Sequence, residues 1–300
     1  LLVRIYLYLF VLVPVVASAQ FIHNQQGEAF THLPFFEAKV IAGHHIKSIE
    51  GNYSTKKSNE GFKPSSDWFR YRFDQNGQLI ESLEVHSSSI GKDSTIHQYA
   101  YNAQGLQVIH RYSAYGGFLS EHYRYDSLQR CTEIAYYKDQ LNAKLDSVLS
   151  SVLMNKENLV YHDQSSSHSY TQYNGYKRPY LEGSKTYNTD GYLTEERIYY
   201  RISQSAYHTT YSYNEHGLLA SKAHFDNDQT TASEEFRFRY DQWGNLIEKT
   251  TYKNGQLLTD FQIVYDYKTG FLGSTIRKDA LTNNLLILRF TKYTYYPTHE

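Results

Sequence analysis

The sequence predicts an all-β protein: an elongated antiparallel array of repeated β-hairpins, twisted or spiralling, with N- and C-terminal caps. Three observations carry this. A short unit of an aromatic residue, Asp or Asn, a turn, Gly and an apolar residue recurs along the chain, strand-period alternation precedes the turns, and tyrosine is in large excess.

The unit is clearest between Phe236 and Leu246. Phe236, Phe238 and Tyr240 alternate with Arg237 and Arg239, the period of a strand with one apolar and one polar face. Asp241 accepts backbone hydrogen bonds at the head of the turn, and Gly244 takes the left-handed conformation that a type I turn with a following bulge requires. Leu246 then begins the returning strand. The same unit starts at Phe73-Asp74, Tyr101-Asn102, Tyr125-Asp126, Tyr187-Asn188, Tyr213-Asn214 and Tyr265-Asp266. Its other turn glycines are Gly77, Gly105, Gly191 and Gly217. Gly270 comes one position later, which lengthens that turn by one residue, and Gln129 stands in for glycine in the third unit. Units follow one another at about 24 to 28 residues, the length that two strands and two connections need, except for 62 residues between Tyr125 and Tyr187.

Taken in order, residues 1–19 read as a signal peptide. Arg4 supplies the positive start, Ile5 to Val16 the apolar core, and Ala17-Ser18-Ala19 the cleavage site. Residues 20–66 lack the repeat and are expected to cap the first hairpin, with one strand near Ile46 to Tyr53. Residues 67–300 form the hairpin-repeat domain. Within its long gap, Leu141, Leu145, Val148, Leu149, Val152 and Leu153 fit helical spacing, so residues 140–154 stay open between helix and strand. The strand is favoured, because Asp146 to Asn155 aligns with Asp93 to Asn102, which puts Asn158 at the turn-glycine position of an eighth unit. Gln164 to Gly183 reads as an inserted hairpin or a long surface loop, and Leu285 to Tyr296 as two closing strands.

Composition narrows the function. The 31 tyrosines suit a sheet whose inner face is only partly covered, since a phenol ring tolerates partial exposure. With 30 basic and 31 acidic residues the chain is near neutral, which argues against a nucleic-acid partner. Beyond residues 1–19 no stretch is apolar enough to span a bilayer. Cys131, the single cysteine, fills the slot held elsewhere by Leu79, Leu193, Leu219 and Leu246, so a buried thiol is expected and no disulfide framework exists.

The repeated Tyr-Asp-x-x-Gly-x-Leu turn resembles the YD repeats of the RHS and teneurin-like proteins. The nearest copies are Tyr213-Asn214-Glu215-His216-Gly217-Leu218-Leu219 and Tyr240-Asp241-Gln242-Trp243-Gly244-Asn245-Leu246. The resemblance covers about residues 68–272 and is closest to short exported YD-type proteins of Bacteroidetes-like bacteria, without an RHS core or toxin segment. It implies hairpins stacked into a spiralling sheet at an envelope or cell surface, with carbohydrate binding in some members. No catalytic residues come with it.

The residues themselves offer little chemistry. Nucleophile elbows, HExxH, zinc spacings, phosphate loops and dinucleotide fingerprints are absent, so no catalytic, cofactor or metal residue is assigned. His44-His45, His162 and His168 read as polar strand and loop positions before metal ligands. Asp226, Asp228, Glu234 and Glu235 surround a loop without the EF-hand pattern. Arg70, Arg72, Arg124, Arg237 and Arg239 lie opposite the aromatics, either as a solvent face or as a basic stripe for an acidic glycan. The expected function is that of an exported, periplasmic or extracellular, non-catalytic module that binds polysaccharide through tyrosine rings. An envelope scaffold that binds a protein is the alternative, and a polysaccharide-active enzyme the third reading.

Overall fold

The computed structural model describes residues 20–88, 91–114, 116–164, 167–227 and 229–297. The signal-peptide reading of residues 1–19 falls outside the described residues. Among the described residues a short helix, α1 (Ala38–Gly43), precedes 18 strands. The first six are β1 (Ile46–Lys56), β2 (Lys63–Phe73), β3 (Leu79–Ser88), β4 (Gly91–Tyr101), β5 (Gln107–Ala114) and β6 (Gly117–Tyr125). Next come β7 (Cys131–Leu141), β8 (Val148–Gln164), β9 (Ser167–Tyr173), β10 (Pro179–Tyr187), β11 (Leu193–Tyr200) and β12 (Ser205–Tyr213). The last are β13 (Leu219–Asp226), β14 (Glu234–Tyr240), β15 (Leu246–Lys253), β16 (Gln256–Tyr265), β17 (Leu272–Asp279) and β18 (Leu285–Tyr295).

Every strand pairs antiparallel with its sequence neighbours, as the hairpin repeat requires. The sheet does not spiral on. β18 pairs with β1 from Ile46 opposite Tyr295 to Lys56 opposite Leu285, so 18 strands close into an up-and-down barrel. Closure, not capping, removes the sheet edges that an open array would have to protect.

The gap between Tyr125 and Tyr187 holds β7 to β10 and, among the described residues, no helix. Asn158 makes no turn, because β8 runs through it in register with Glu133 on one side and Tyr173 on the other. The turn lies earlier, at Asn142 to Ser147, where Leu145 takes a φ of 59°. Gln164 to Gly183 holds the inserted hairpin of β9 and β10, and Leu285 to Tyr295 is one strand instead of two.

The motif turns share one geometry. At Asp241 the backbone N–H bonds to the Asn245 carbonyl, Gly244 N–H returns to the Asp241 carbonyl, and Asp241 Oδ1 accepts from the Trp243 and Asn245 amides at 2.9 and 2.8 Å. Asn102, Asp126, Asn188 and Asn214 repeat all four bonds, and Asp74 repeats the two backbone bonds and takes Gln78 N–H on its carboxylate. At Asp266 the closing bond reaches Phe271, one residue further, with Gly270 at a φ of 72°. Gln129 adopts the left-handed conformation of the glycine it replaces, with a φ of 62°.

The motif tyrosine has its own task. On the side away from its own hairpin, each ladder ends two residues short of the turn; β15 and β16, for example, separate below Glu248 and Gln262. The tyrosine hydroxyl then donates to the carbonyl that the ladder leaves over. Tyr265 bonds Leu246 at 2.9 Å, Tyr240 bonds Leu219 at 3.0 Å, Tyr213 bonds Leu193 at 2.8 Å and Tyr101 bonds Leu79 at 2.8 Å. Tyr125, Tyr161 and Tyr293 do the same to Gln107, Cys131 and Leu272. Cys131 sits in the leucine slot as expected but is half-buried, and burial pushes its thiol up.

An 18-stranded barrel leaves a lumen that strand side chains alone do not fill. Residues 20–45 occupy part of it. The segment doubles back through an Ile22–Phe36 bridge, and its tip enters from the motif-turn end. Phe21 packs on Phe271, Phe30 on Phe261, and Phe36 on Tyr71 and Phe73, which places the main core between segment and barrel. Asn24 donates to the Tyr240 hydroxyl, Lys249 Nζ to the Ala29 carbonyl, and the Tyr99 hydroxyl to the His32 carbonyl. Residues 20–66 thus divide between this lumen segment with α1, strand β1 and the connection to β2.

Candidate functional site

Where the lumen segment meets the motif turns, the barrel mouth stays partly open. A cavity of about 1050 Å³ lies between residues 20–44 and the turns that follow β10, β12 and β16. Its floor is Phe21, Leu193, Leu219 and Phe271, all buried. Its rim carries Tyr187 and Tyr192, 37% and 38% exposed, with Tyr213 behind them. The rings of Tyr192 and Tyr213 lie 4.8 Å apart at 34°. Gly217 fixes this arrangement twice over: its φ is 73°, and a Cβ there would collide with the Tyr192 hydroxyl.

The wall opposite is polar and comes from the lumen segment. Gln20, Gln25 and Gln26 offer amides, which both donate and accept, whereas the buried Asn24 amide is engaged by Tyr240 and the Ala29 N–H. His23 Nδ1 lies 3.5 Å from Glu37 Oε2. That bond to Glu37 holds the imidazole above its ordinary value, and the same bond holds the Glu37 carboxyl below its own. Among the described residues Glu37 is the one carboxylate lining the cavity, beside Lys39, His23 and His44. The arrangement combines aromatic faces, amide hydrogen bonds and one weakly charged pair.

The turn residues read from the sequence fall on both sides of this description. Gly191, Gly217 and Gly270 line the cavity, whereas Asp74, Gly77, Asn102, Gly105, Asp126, Asn188, Asn214, Asp241, Gly244 and Asp266 hold turn backbone together without lining it. Gly77 lies under α1, and Gly244 beside Gln20. The amides Gln20 to Gln26 were not singled out in the sequence; a run of Phe21, Ile22, Phe30, Phe35 and Phe36 without strand period is the signal that this segment is buried.

The other candidates resolve as structure. Arg70 and Arg72 both pair with Glu81, at 2.9 and 3.4 Å, Arg124 with Glu133 at 3.4 Å, Arg237 with Glu235 at 2.6 Å, and Arg239 with Glu248. The stripe is therefore charge-neutralised on the outer face. His44 lies edge-on to Phe271, and His162 bonds Thr171. Among the described residues no group of three or more His, Cys, Asp or Glu could hold a metal ion. Asp228 of the acidic loop lies outside the described residues, and Glu235 of that loop is engaged by Arg237.

No protein-family model matches the chain, and no curated protein matches it in sequence. The resemblance to YD-repeat proteins is corrected on the same ground and on the fold: the shared turn here builds a ring that closes on its first strand, not a spiralling array. Among solved structures, a porin-like protein from Bacteroides uniformis aligns over 84% of this chain and 98% of its own, at 9% identity and a TM-score of 0.37. A porin-like protein from Bacteroides vulgatus aligns over 82% and 98%, at 11% identity and a TM-score of 0.31. A LolA superfamily protein from Nitrosomonas europaea aligns over 85% and 88%, at 9% identity and a TM-score of 0.18. Scores this low stop short of a shared fold.

Proposed function

We propose that the protein is an exported, non-catalytic binding module of the envelope or extracellular space, and that its mouth cavity takes a segment of a polysaccharide. The observation that carries this reading is the pairing of Tyr187, Tyr192 and Tyr213 with the amides of Gln20 to Gln26 across one open cavity. Sugar rings offer apolar C–H faces and a hydroxyl periphery, which suit aromatic faces and amides respectively. A glycosidase of the usual kind needs two carboxyl groups about the scissile bond, and among the described residues lining the cavity Glu37 stands without a second. A barrel embedded in lipid presents an apolar band outward, whereas Arg70, Arg237 and Arg239 point outward here with their carboxylate partners, which supports a barrel standing in water. Among the described residues no helix is long and apolar enough to cross a membrane. A protein-binding scaffold is the second reading, favoured by exposed apolar residues on β8.

The test is retention of residues 20–300 on immobilised envelope and host polysaccharides, with a salt titration. Saturable binding that survives salt and falls about tenfold or more in Tyr192→Ala is the expected result, equivalent to about 1.4 kcal/mol. No retention across a broad panel, or binding untouched by Tyr192→Ala, overturns the saccharide reading. Binding abolished by salt moves it to the outer charges.

A further inference from the structure

β8 is flanked unequally. β7 pairs with it from Val148 to Asn158, but β9 joins only from Asn158 to Gln164. In the turn after β9, Gly175 lies beside Asn155 and Lys156. From Val148 to Met154 the strand therefore has no paired strand on its second side among the described residues. The stretch is also apolar and exposed: Val148, Leu149, Val152, Leu153 and Met154 are 44% to 65% exposed. From Ser147 to Asn155 it contains no charge, proline or glycine. Charges and proline are two of the devices that blunt natural edges, and an edge without either is suited to pairing with another strand.

The sequence of this edge complements itself. In an antiparallel pair related by a two-fold axis at Ser151, Leu149 of one copy faces Leu153 of the other, and Val148 faces Met154. Ser147 then faces Asn155. Ser151 and Leu153 already lie on the outer face, in register with Asp139 and Tyr137. Toward β7 two bulges make Leu149 and Met154 the extra residues of this stretch and leave Ser150 to Leu153 regular.

We infer that two copies of this chain associate through the β8 edge, pairing antiparallel about Ser151 into an isologous dimer. The association is independent of the mouth cavity and of any saccharide.

Sedimentation of residues 20–300 across a concentration series tests it. The unmodified chain is expected to dimerise reversibly. The double variant Leu149→Lys with Leu153→Lys sets lysine against lysine across the axis and is expected to be monomeric. Leu149→Lys with Leu153→Glu sets lysine against glutamate and is expected to dimerise again. Both positions are more than half exposed, so an unchanged melting transition separates lost association from lost folding. An unmodified chain that stays monomeric overturns the inference, as does a dimer that survives the double-lysine variant. It fails equally if the lysine–glutamate variant is as monomeric as the double-lysine one. A monomer that instead takes up an added extended peptide at β8 would assign the edge to another protein's strand.

Discussion

Replacing Tyr265 with phenylalanine removes one hydroxyl and keeps the ring. That hydroxyl donates to the Leu246 carbonyl at 2.9 Å, beyond the point where the β15–β16 ladder ends. Leu246 is 1% exposed, so water cannot replace the donor. Burial pushes the Tyr265 phenol up, which keeps it protonated and donating throughout the stable pH range. A net hydrogen bond contributes about 1 kcal/mol, and a buried carbonyl stripped of its donor costs about 1 to 3 kcal/mol. The expected loss is about 2 kcal/mol, which for a chain of this size lowers the melting temperature by about 3 °C. Tyr187, at the same motif position but 37% exposed, shows no such bond among the described residues and is the control. Urea unfolding and thermal melts of Tyr265→Phe and Tyr187→Phe should differ by that amount. Equal stabilities would refute the idea that the motif tyrosine is selected for its hydroxyl.

Two further outcomes follow from the lumen segment. Gly77→Ala should cost at least about 2 kcal/mol, since a Cβ there meets the Ala38 carbonyl and the Ala42 amide of α1 at a φ of 79°. Gly191→Ala, in open space at a φ of 84°, should cost only about 1 to 2 kcal/mol; denaturant midpoints and protease sensitivity near residue 38 compare the two. The third outcome concerns His97, which stacks with His110 and lies near His32 of the segment. Burial first, then the neighbouring His110 and His32, lower its folded value from 6.5 to about 4. Stability from neutral His97 is therefore present above pH 6.5 and is lost as pH falls from 6.5 toward 4, by about 1 to 2 kcal/mol after solvent screening. His23, held above 6.5 by Glu37, acts in the opposite direction and above that window. Urea midpoints between pH 7 and 5 should fall less in His97→Gln than in the unmodified chain.

Much of the hairpin array is legible in the residues, because turn chemistry is local. Asp241 and Gly244 announce their turn wherever the chain goes afterwards. Closure is not local: the strands that meet, β1 and β18, carry no repeat unit, and no counting of units tells whether ends coincide. Leu145 holds the left-handed turn position, at a φ of 59°, where no glycine marks it, so the residues alone point to Asn158 instead. The eighth unit instead shows itself through Tyr161, whose hydroxyl bonds Cys131 as its counterparts bond their leucines. The mouth depended on the amides Gln20 to Gln26, residues without any period, whose position is set by the phenylalanines around them.

The seam between β1 and β18 also orders events in time. Ile46 meets Tyr295, so the two sides of the ring are joined across nearly the whole sequence. Loop-closure entropy must be overcome before that contact returns any free energy, which makes the last step of folding slow. During synthesis, hairpins from β2 onward can form one by one, yet the growing sheet keeps two unpaired borders until β18 arrives. A nascent chain of this protein is accordingly most prone to aggregate just before completion, and shielding by a holding chaperone matters most for its final hairpin.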